Sequence, residues 1–372
     1  MNQTSAEVIV IGGGPAGASL SLRLARVGCP VILLERSAFD AFRVGESLPP
    51  AAVPRLKRLG VWDAFLQTRP AAVYGVQSAW GTEELESSSF LGDPFLNGWH
   101  LDRLRFDAML TSAAEDAGAL VFRRACAHII ELGPGKHWSV AASSPQRELR
   151  ILSRFLVDAS GRSARLCQGL GVRRLQSDRL IGISALCAEK SPREPFPSLV
   201  EAHPFGWWYS AGLPDGRVIA IFFTDSDLSA QHGLTRAKEW SGLLEESRHT
   251  RERLSACILP HSLNAFSATS HFLDRAAGDS WLAIGDALIG RDPLSSSGID
   301  FALASAELAS SLLCALSNGR GESVNAYNGQ ARSDFAAYLQ QRCAYYALER
   351  RWPDSPFWLR RHSVPTAVGL SN

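Results

Sequence analysis

"EVIVIGGGPAGASLSLRLARVGCPVILLER", residues 7–36, decides the fold. Val8 to Ile11 is a short continuous apolar run, as expected of a strand buried on both faces. Gly12, Gly14 and Gly17 follow as G-x-G-x-x-G, and Ala18 to Val27 reads as a helix. A second strand, Val31 to Leu34, ends at Glu35. The glycines serve distinct physical purposes. Gly12 allows the tight turn, Gly14 lets the backbone approach a pyrophosphate, and Gly17 lets helix and strand pack closely. The helix N-terminus offers unpaired N–H groups and a positive dipole end to phosphate. Glu35, with Arg36 beside it, is placed to hold a ribose. Strand, glycines, helix, strand and acid fall in order, so the stretch reads as a dinucleotide site.

Around this unit the bulk numbers set bounds. A chain of 372 residues is long enough for two packed lobes. A net charge of +1 gives no long-range attraction to nucleic acid or to an anionic membrane. Of the basic residues four are lysines and 34 are arginines. Seven cysteines show no Cys-x-x-Cys pair and no metal-ligand spacing, which suggests reduced thiols, a cytoplasmic protein and no metal. No basic-then-apolar leader precedes the first strand, and no apolar run suggests a membrane span.

Two later stretches specify the dinucleotide. "RFLVDASGRSARL" (154–166) is a strand ending in Asp158-Ala159-Ser160-Gly161, and "SWLAIGDALIGRDPLSSSG" (280–298) contains a strand ending in Gly285-Asp286. With the first unit they resemble the three fingerprints of the FAD-dependent monooxygenase superfamily, which includes the flavin halogenases and the geranylgeranyl reductases. The resemblance implies FAD, with Asp286 at the ribityl or ribose-phosphate region and Arg103, at the start of a helix over 103–117, in contact with the cofactor. It further implies that "FRVGESLPPAAVPRLKRLG" (42–60) lies along the flavin, which brings in Arg43 and Ser47. The serines of "RDPLSSSGIDFAL" (291–303) then have a purpose. Reduction places negative charge on the flavin, and a helix N-terminus stabilises it through backbone N–H groups and its dipole. Pro293, Ser297, Gly298 and Ile299 are the cofactor-facing positions there, with serine able to cap the helix Ile299 to Leu316.

The frame is similar to the halogenase branch, yet the catalytic residues of tryptophan halogenases are missing. The position of their lysine, two residues before the glycine of "VYGVQSAW", holds Val73, and their glutamate is replaced by Ser295. Arginine cannot serve instead, since it stays charged. "GWHLDRLRFD" and the tail "YYALERRWPDSPFWLRR" (345–361) resemble flavoproteins that hydroxylate a peptidyl tryptophan during quinone-cofactor maturation. That resemblance implies hydroxylation of an electron-rich ring through a flavin C4a-hydroperoxide. The substrate is then tryptophan, free or within a partner protein, and electrons come from NAD(P)H or a separate flavin reductase. Rival readings are a halogenase with atypical residues, a reductase of the geranylgeranyl type, and a non-catalytic FAD-binding assembly factor.

Candidate catalytic residues are His100, Glu46 and Asp300. Each has a structural alternative: a buried histidine, a loop tether, and a first-turn acid stabilising its own helix. Trp207, Trp208 and Tyr209 either line an aromatic pocket or form plain core.

The expected architecture is α/β, α+β overall: a Rossmann-type FAD lobe, an antiparallel-sheet substrate lobe and C-terminal helices, as in p-hydroxybenzoate-hydroxylase-like folds. The FAD lobe is assigned to 1–70, 100–180 and 275–330, the substrate lobe to 71–99 and 181–274, and a helical segment to 331–372, its last helix broken by Pro353 and Pro356.

Overall fold

The computed structural model describes residues 3–133, 135, 137–145, 148–190, 196–320 and 323–363. Lys136 and the end of the C-terminal segment lie outside the described residues.

The first lobe is built on a parallel sheet in the order Leu120–Arg123, Val31–Glu35, Gln3–Ile11, Glu148–Asp158, Trp281–Ala283. Ile11 stands opposite both Leu34 and Asp158, so the first two fingerprints end at one edge of the sheet. Asp158 in turn stands opposite Ala283, two residues before Gly285-Asp286, and the third fingerprint joins them. The first strand starts at Gln3, earlier than its apolar run, because residues 3–6 pair with Arg150–Ser153. There Glu148–Asp158 also forms an antiparallel meander with Trp138–Ser143 and Cys126–Leu132. Tertiary pairing extends the strand where sequence polarity gives no signal.

Helices Pro15–Arg26, Arg103–Asp116 and Gly298–Ser317 pack together beside this sheet. Among the described residues, Gly298–Ser317 is the one helix long and apolar enough to cross a membrane. Ile299, Phe301, Ala302, Leu303, Ala306 and Ala309 are buried in the main core.

The second lobe is an eight-stranded sheet with Leu180–Glu189, Arg217–Asp225, Gly206–Gly212, Ser198–His203, Gly75–Ala79 and Glu86–Ser89 in consecutive order. It is antiparallel except where Ser198–His203 runs parallel to Gly75–Ala79. Its central strands are buried on both faces. Trp207, Tyr209, Ile219, Ile221 and Phe223 face the C-terminal segment, while Trp208, Ala220 and Phe222 face helices Ala237–Glu246 and His249–Leu254. This double cover explains the near-continuous apolar run of Arg217–Asp225. The strand stops at Asp225, and Ser226–His232 is a helix.

A small sheet of Ser47–Leu48, Gly98–His100 and Ala71–Val73 lies between the lobes. The chain ends in helices Ser323–Ala347 and Pro356–His362. Pro356 opens the last helix at its first turn instead of breaking it, where its missing N–H costs no hydrogen bond.

Candidate flavin site

The glycines of the first fingerprint divide into two kinds. A Cβ on Gly12, at φ +111°, would sit 2.2 Å from the Ala159 carbonyl oxygen, and one on Gly17 would lie 1.9 Å from the Gly12 oxygen. These two are packing glycines, holding the turn, the first helix and the Asp158 strand end together. A Cβ on Gly14 meets nothing within 4 Å, and the same holds for Gly298 at the start of the later helix. Both glycines assigned to close approach of a cofactor therefore open onto clear space.

Next to the loop, Glu35 is buried and accepts from the Gly13 N–H at 2.6 Å, the Ser37 hydroxyl at 2.6 Å and the Ser37 N–H at 2.9 Å. Arg43 reaches it at 3.0 Å. Burial opposes its charge, but the Ser37 hydroxyl, the backbone N–H groups and Arg43 outweigh it and hold the carboxyl below its usual range. Arg43 also reaches Asp107 at 3.4 Å, and Asp107 pairs with Arg103 at 2.9 Å. Arg103 donates on to the carbonyls of Val44 and Gly45 and so fastens the 42–60 loop to the Arg103–Asp116 helix. Arg36 is exposed.

The third fingerprint completes the cradle. Asp286 is partly exposed and pairs with Arg162 at 3.3 Å. The Ser295 and Ser297 hydroxyls are 2.7 Å apart, and Ser296 adopts φ +48°. Ser297 stands at the cap position of Gly298–Ser317 but makes no side-chain cap, contrary to the expectation from its residue type. Its hydroxyl is engaged by Ser295 and by Arg291, 3.4 Å away. The start of the 20-residue helix is thus not capped by the Ser297 side chain, and uncapped N–H groups at a helix N-terminus favour an anionic partner. Pro293 lies in the short turn before it, and Ile299 is buried in the core.

Of the catalytic candidates, Glu46 and His100 come together and Asp300 turns elsewhere. Ser47 pairs with His100 across the small sheet. The His100 Nδ1 lies 2.9 Å from the Gly212 carbonyl, a contact that needs a proton on Nδ1 and leaves Nε2 as the basic nitrogen. Nε2 is buried without a hydrogen-bond partner. Burial lowers the His100 pKa against the opposing pull of Glu46. Tyr209 lies in the same cluster, its phenol raised well above the ordinary value by burial and then by Glu46. Its hydroxyl makes no hydrogen bond of regular geometry. Asp300 accepts from Arg55 Nε at 2.7 Å, in keeping with its structural alternative as a first-turn acid. Trp207 is fully buried on the face shared with Tyr209, whereas Trp208 points to the opposite face against Trp240 and cannot line the same pocket. Val73 is a buried strand residue.

Asp107, Thr111 and Arg162 are site residues that sequence reasoning passed over. Thr111 faces the Gly13 carbonyl at 3.4 Å. The i,i+4 spacing of Arg103 and Asp107 was a readable signal, as was the arginine directly after Asp158-Ala159-Ser160-Gly161.

The sequence model of the tryptophan halogenase family matches residues 86–371. The chain is 32% identical over 367 residues to LodB of Marinomonas mediterranea, described as an FAD-dependent oxidoreductase, covering 96% of this chain and 97% of that one. Among solved structures it is similar to the myxobacterial chondrochloren halogenase CndH, with TM-score 0.88, 25% identity, and 98% and 87% of the two chains covered. It is also similar to the peptidyl tryptophan dihydroxylase QhpG, with TM-score 0.78, 24% identity, and 99% and 81% covered.

Proposed function

The chain belongs to the tryptophan halogenase family and is an FAD-dependent oxidoreductase; from that premise we propose that it hydroxylates an electron-rich aromatic ring, a tryptophan within a polypeptide. The observation that carries this reading is Val73: a buried apolar side chain stands where the halogenating members carry the lysine that relays halogen. Ser295 stands in place of their glutamate. The frame shared with QhpG, described as a peptidyl tryptophan dihydroxylase, and the similarity to the FAD-dependent oxidoreductase LodB support the choice of substrate.

When bound and reduced, FAD supplies the activation of oxygen. Gly14 and the helix from Pro15 would hold its pyrophosphate, Glu35 its ribose, and the helix from Gly298 its ring edge. Tyr209, buried in the cluster with Glu46 and His100, would help keep water from the ring that is oxidised. Glu46 and the free Nε2 of His100 are the polar groups positioned to take a proton from that ring.

The test is coupling. Holoprotein is supplied with NADH, a non-specific flavin reductase and oxygen, and released hydrogen peroxide is measured. Adding a tryptophan-containing peptide is expected to divert oxygen from peroxide into an oxygenated peptide. Peroxide release unchanged by every tryptophan peptide, with no oxygenated product, contradicts the reading.

A further inference from the structure

Three segments far apart in sequence, around Trp80, Trp207 and Tyr346 to Trp358, bring oxidisable rings together beside the loop that leads into the helix from Gly298. Tyr346, buried at the end of the Ser323–Ala347 helix, donates its hydroxyl to Asp292 Oδ2 at 2.8 Å. Asp292 begins the Asp-Pro-Leu-Ser stretch that leads into the helix from Gly298. Trp207 Nε1 donates to the same Tyr346 hydroxyl at 3.0 Å. From there the rings continue outward: Trp80 lies 5.7 Å from Tyr346 and 6.4 Å from Trp207, and Trp358 lies 5.4 Å from Trp80 and 6.0 Å from Tyr346. Trp352 stacks on Trp358 at 6.2 Å. Trp207, Tyr346 and Trp358 are fully buried, while Trp80 and Trp352 are half-buried.

A packed core needs apolar rings but not this choice of them. Phenylalanine would fill the same space without an N–H or O–H to satisfy. Here the polar edges of four of the rings are answered: Trp207 Nε1 by the Tyr346 hydroxyl, Trp80 Nε1 by the Tyr345 carbonyl at 2.9 Å, Trp358 Nε1 by the His203 carbonyl at 3.0 Å, and Tyr346 by Asp292. A buried neutral phenol gives up an electron readily only if its proton leaves at the same time, and Asp292 is the acceptor already in line. Burial and Asp292 both keep Tyr346 in its protonated form until then.

We propose that Tyr346, Trp207, Trp80, Trp358 and Trp352 form an electron relay that discharges stray oxidant from the flavin pocket to the protein surface. The proposal rests on the reading of the chain as an oxygen-using flavoprotein. When oxygen is reduced with no aromatic substrate present and superoxide is left in the pocket, Tyr346 yields one electron to it and its hydroxyl proton to Asp292, and the superoxide takes two protons from solvent to become hydrogen peroxide. An electron from Trp358 or Trp80 refills Tyr346, which takes its proton back from Asp292. The indole left oxidised is refilled through Trp352, or directly at Trp80, by a one-electron reductant in solution such as a thiol or ascorbate. One electron and no net proton cross the relay for each event.

The test needs no aromatic substrate, so it is read independently of whether a tryptophan peptide is hydroxylated. Holoprotein is turned over with NADH, flavin reductase and oxygen, without ascorbate or thiol and with catalase to remove free peroxide. Oxidised tryptophan is then mapped by peptide mass spectrometry. Oxidation is expected at Trp352 and Trp80, suppressed by ascorbate. Trp358→Phe should lose the Trp352 mark and keep the Trp80 mark, and Tyr346→Phe should lose both. If Trp358→Phe does not fold, Trp352→Phe, made at the half-buried end, should retain FAD and move the mark back to Trp358. Absence of marks overturns the proposal. So does a pattern that follows exposure alone, matching resting holoprotein treated with hydrogen peroxide, or a Trp352 mark that persists in Trp358→Phe.

Discussion

Arg55 and Asp300, 245 residues apart in sequence, meet at 2.7 Å and tie the segment after the glycine-glutamate loop to the first turn of the Gly298–Ser317 helix. Both side chains are partly exposed, and Arg55 and Arg58 also approach Glu307 one turn and more along the same helix. The pair anchors the flavin-side loop from outside. Asp300→Ala should therefore cost about 1 kcal/mol of stability, in the range of a surface pair plus a helix-dipole term. Turnover per bound FAD should stay near that of the parent protein. Thermal denaturation and initial rates check this, and an abolished rate with FAD retained would return Asp300 to the catalytic set.

The two kinds of glycine should respond differently to one methyl group. Gly17→Ala drives a Cβ into the Gly12 carbonyl, a backbone atom that cannot rotate away, and should cost about 1–3 kcal/mol or more and lower FAD content. Gly14→Ala meets no protein atom, so the fold should be kept while FAD affinity falls. Melting temperature read beside flavin content separates the two. Equal destabilisation by both would show that Gly14 is also a packing glycine.

His271, buried behind Asp286, offers a pH prediction. Its Nε2 lies 3.0 Å from the Asp286 carbonyl, and its pKa is lowered to about 4 by burial, then by Arg162 and Arg174. The unfolded chain binds this proton more readily than the folded one. Stability is therefore full above the ordinary value of 6.5 and is lost as pH falls from there toward 4. The single group accounts for a loss on the order of 3 kcal/mol across that window. Denaturant midpoints for the parent and His271→Gln should diverge less at acid pH than at neutral pH, because the variant lacks this titration. Parallel curves would remove His271 as the cause.

How far the sequence reaches differs between lobe and site. The cofactor lobe is legible because its chemistry is local: Gly12, Gly17 and Glu35 lie within one strand-helix-strand unit, and their spacing is set by the pyrophosphate turn. The second sheet is legible in type but not in its burial. An antiparallel sheet with one solvent face is expected to alternate, but Val218 to Phe223 is continuously apolar because helices from residues 237–254 cover the second face, and only the tertiary structure brings them there. Arg43, Asp107 and Arg103 converge from separate elements, so their linkage was half visible, in the i,i+4 pair alone. Trp207 and Trp208 show the limit most plainly. They are adjacent in sequence, and strand geometry sends them to opposite faces, so a run of aromatics could not be one pocket wall.

In the proposed reaction oxygen, not halogen, reaches the substrate ring. The direct measurement is the mass of a tryptophan-containing peptide after turnover by the reduced holoprotein under heavy-isotope oxygen, run with and without added bromide. Hydroxylation gives a peptide carrying the heavy oxygen label in equal yield in both arms and no brominated species. A brominated peptide that requires bromide, with no labelled oxygen incorporated, would contradict it and identify the chain as a halogenase that works without a lysine at position 73.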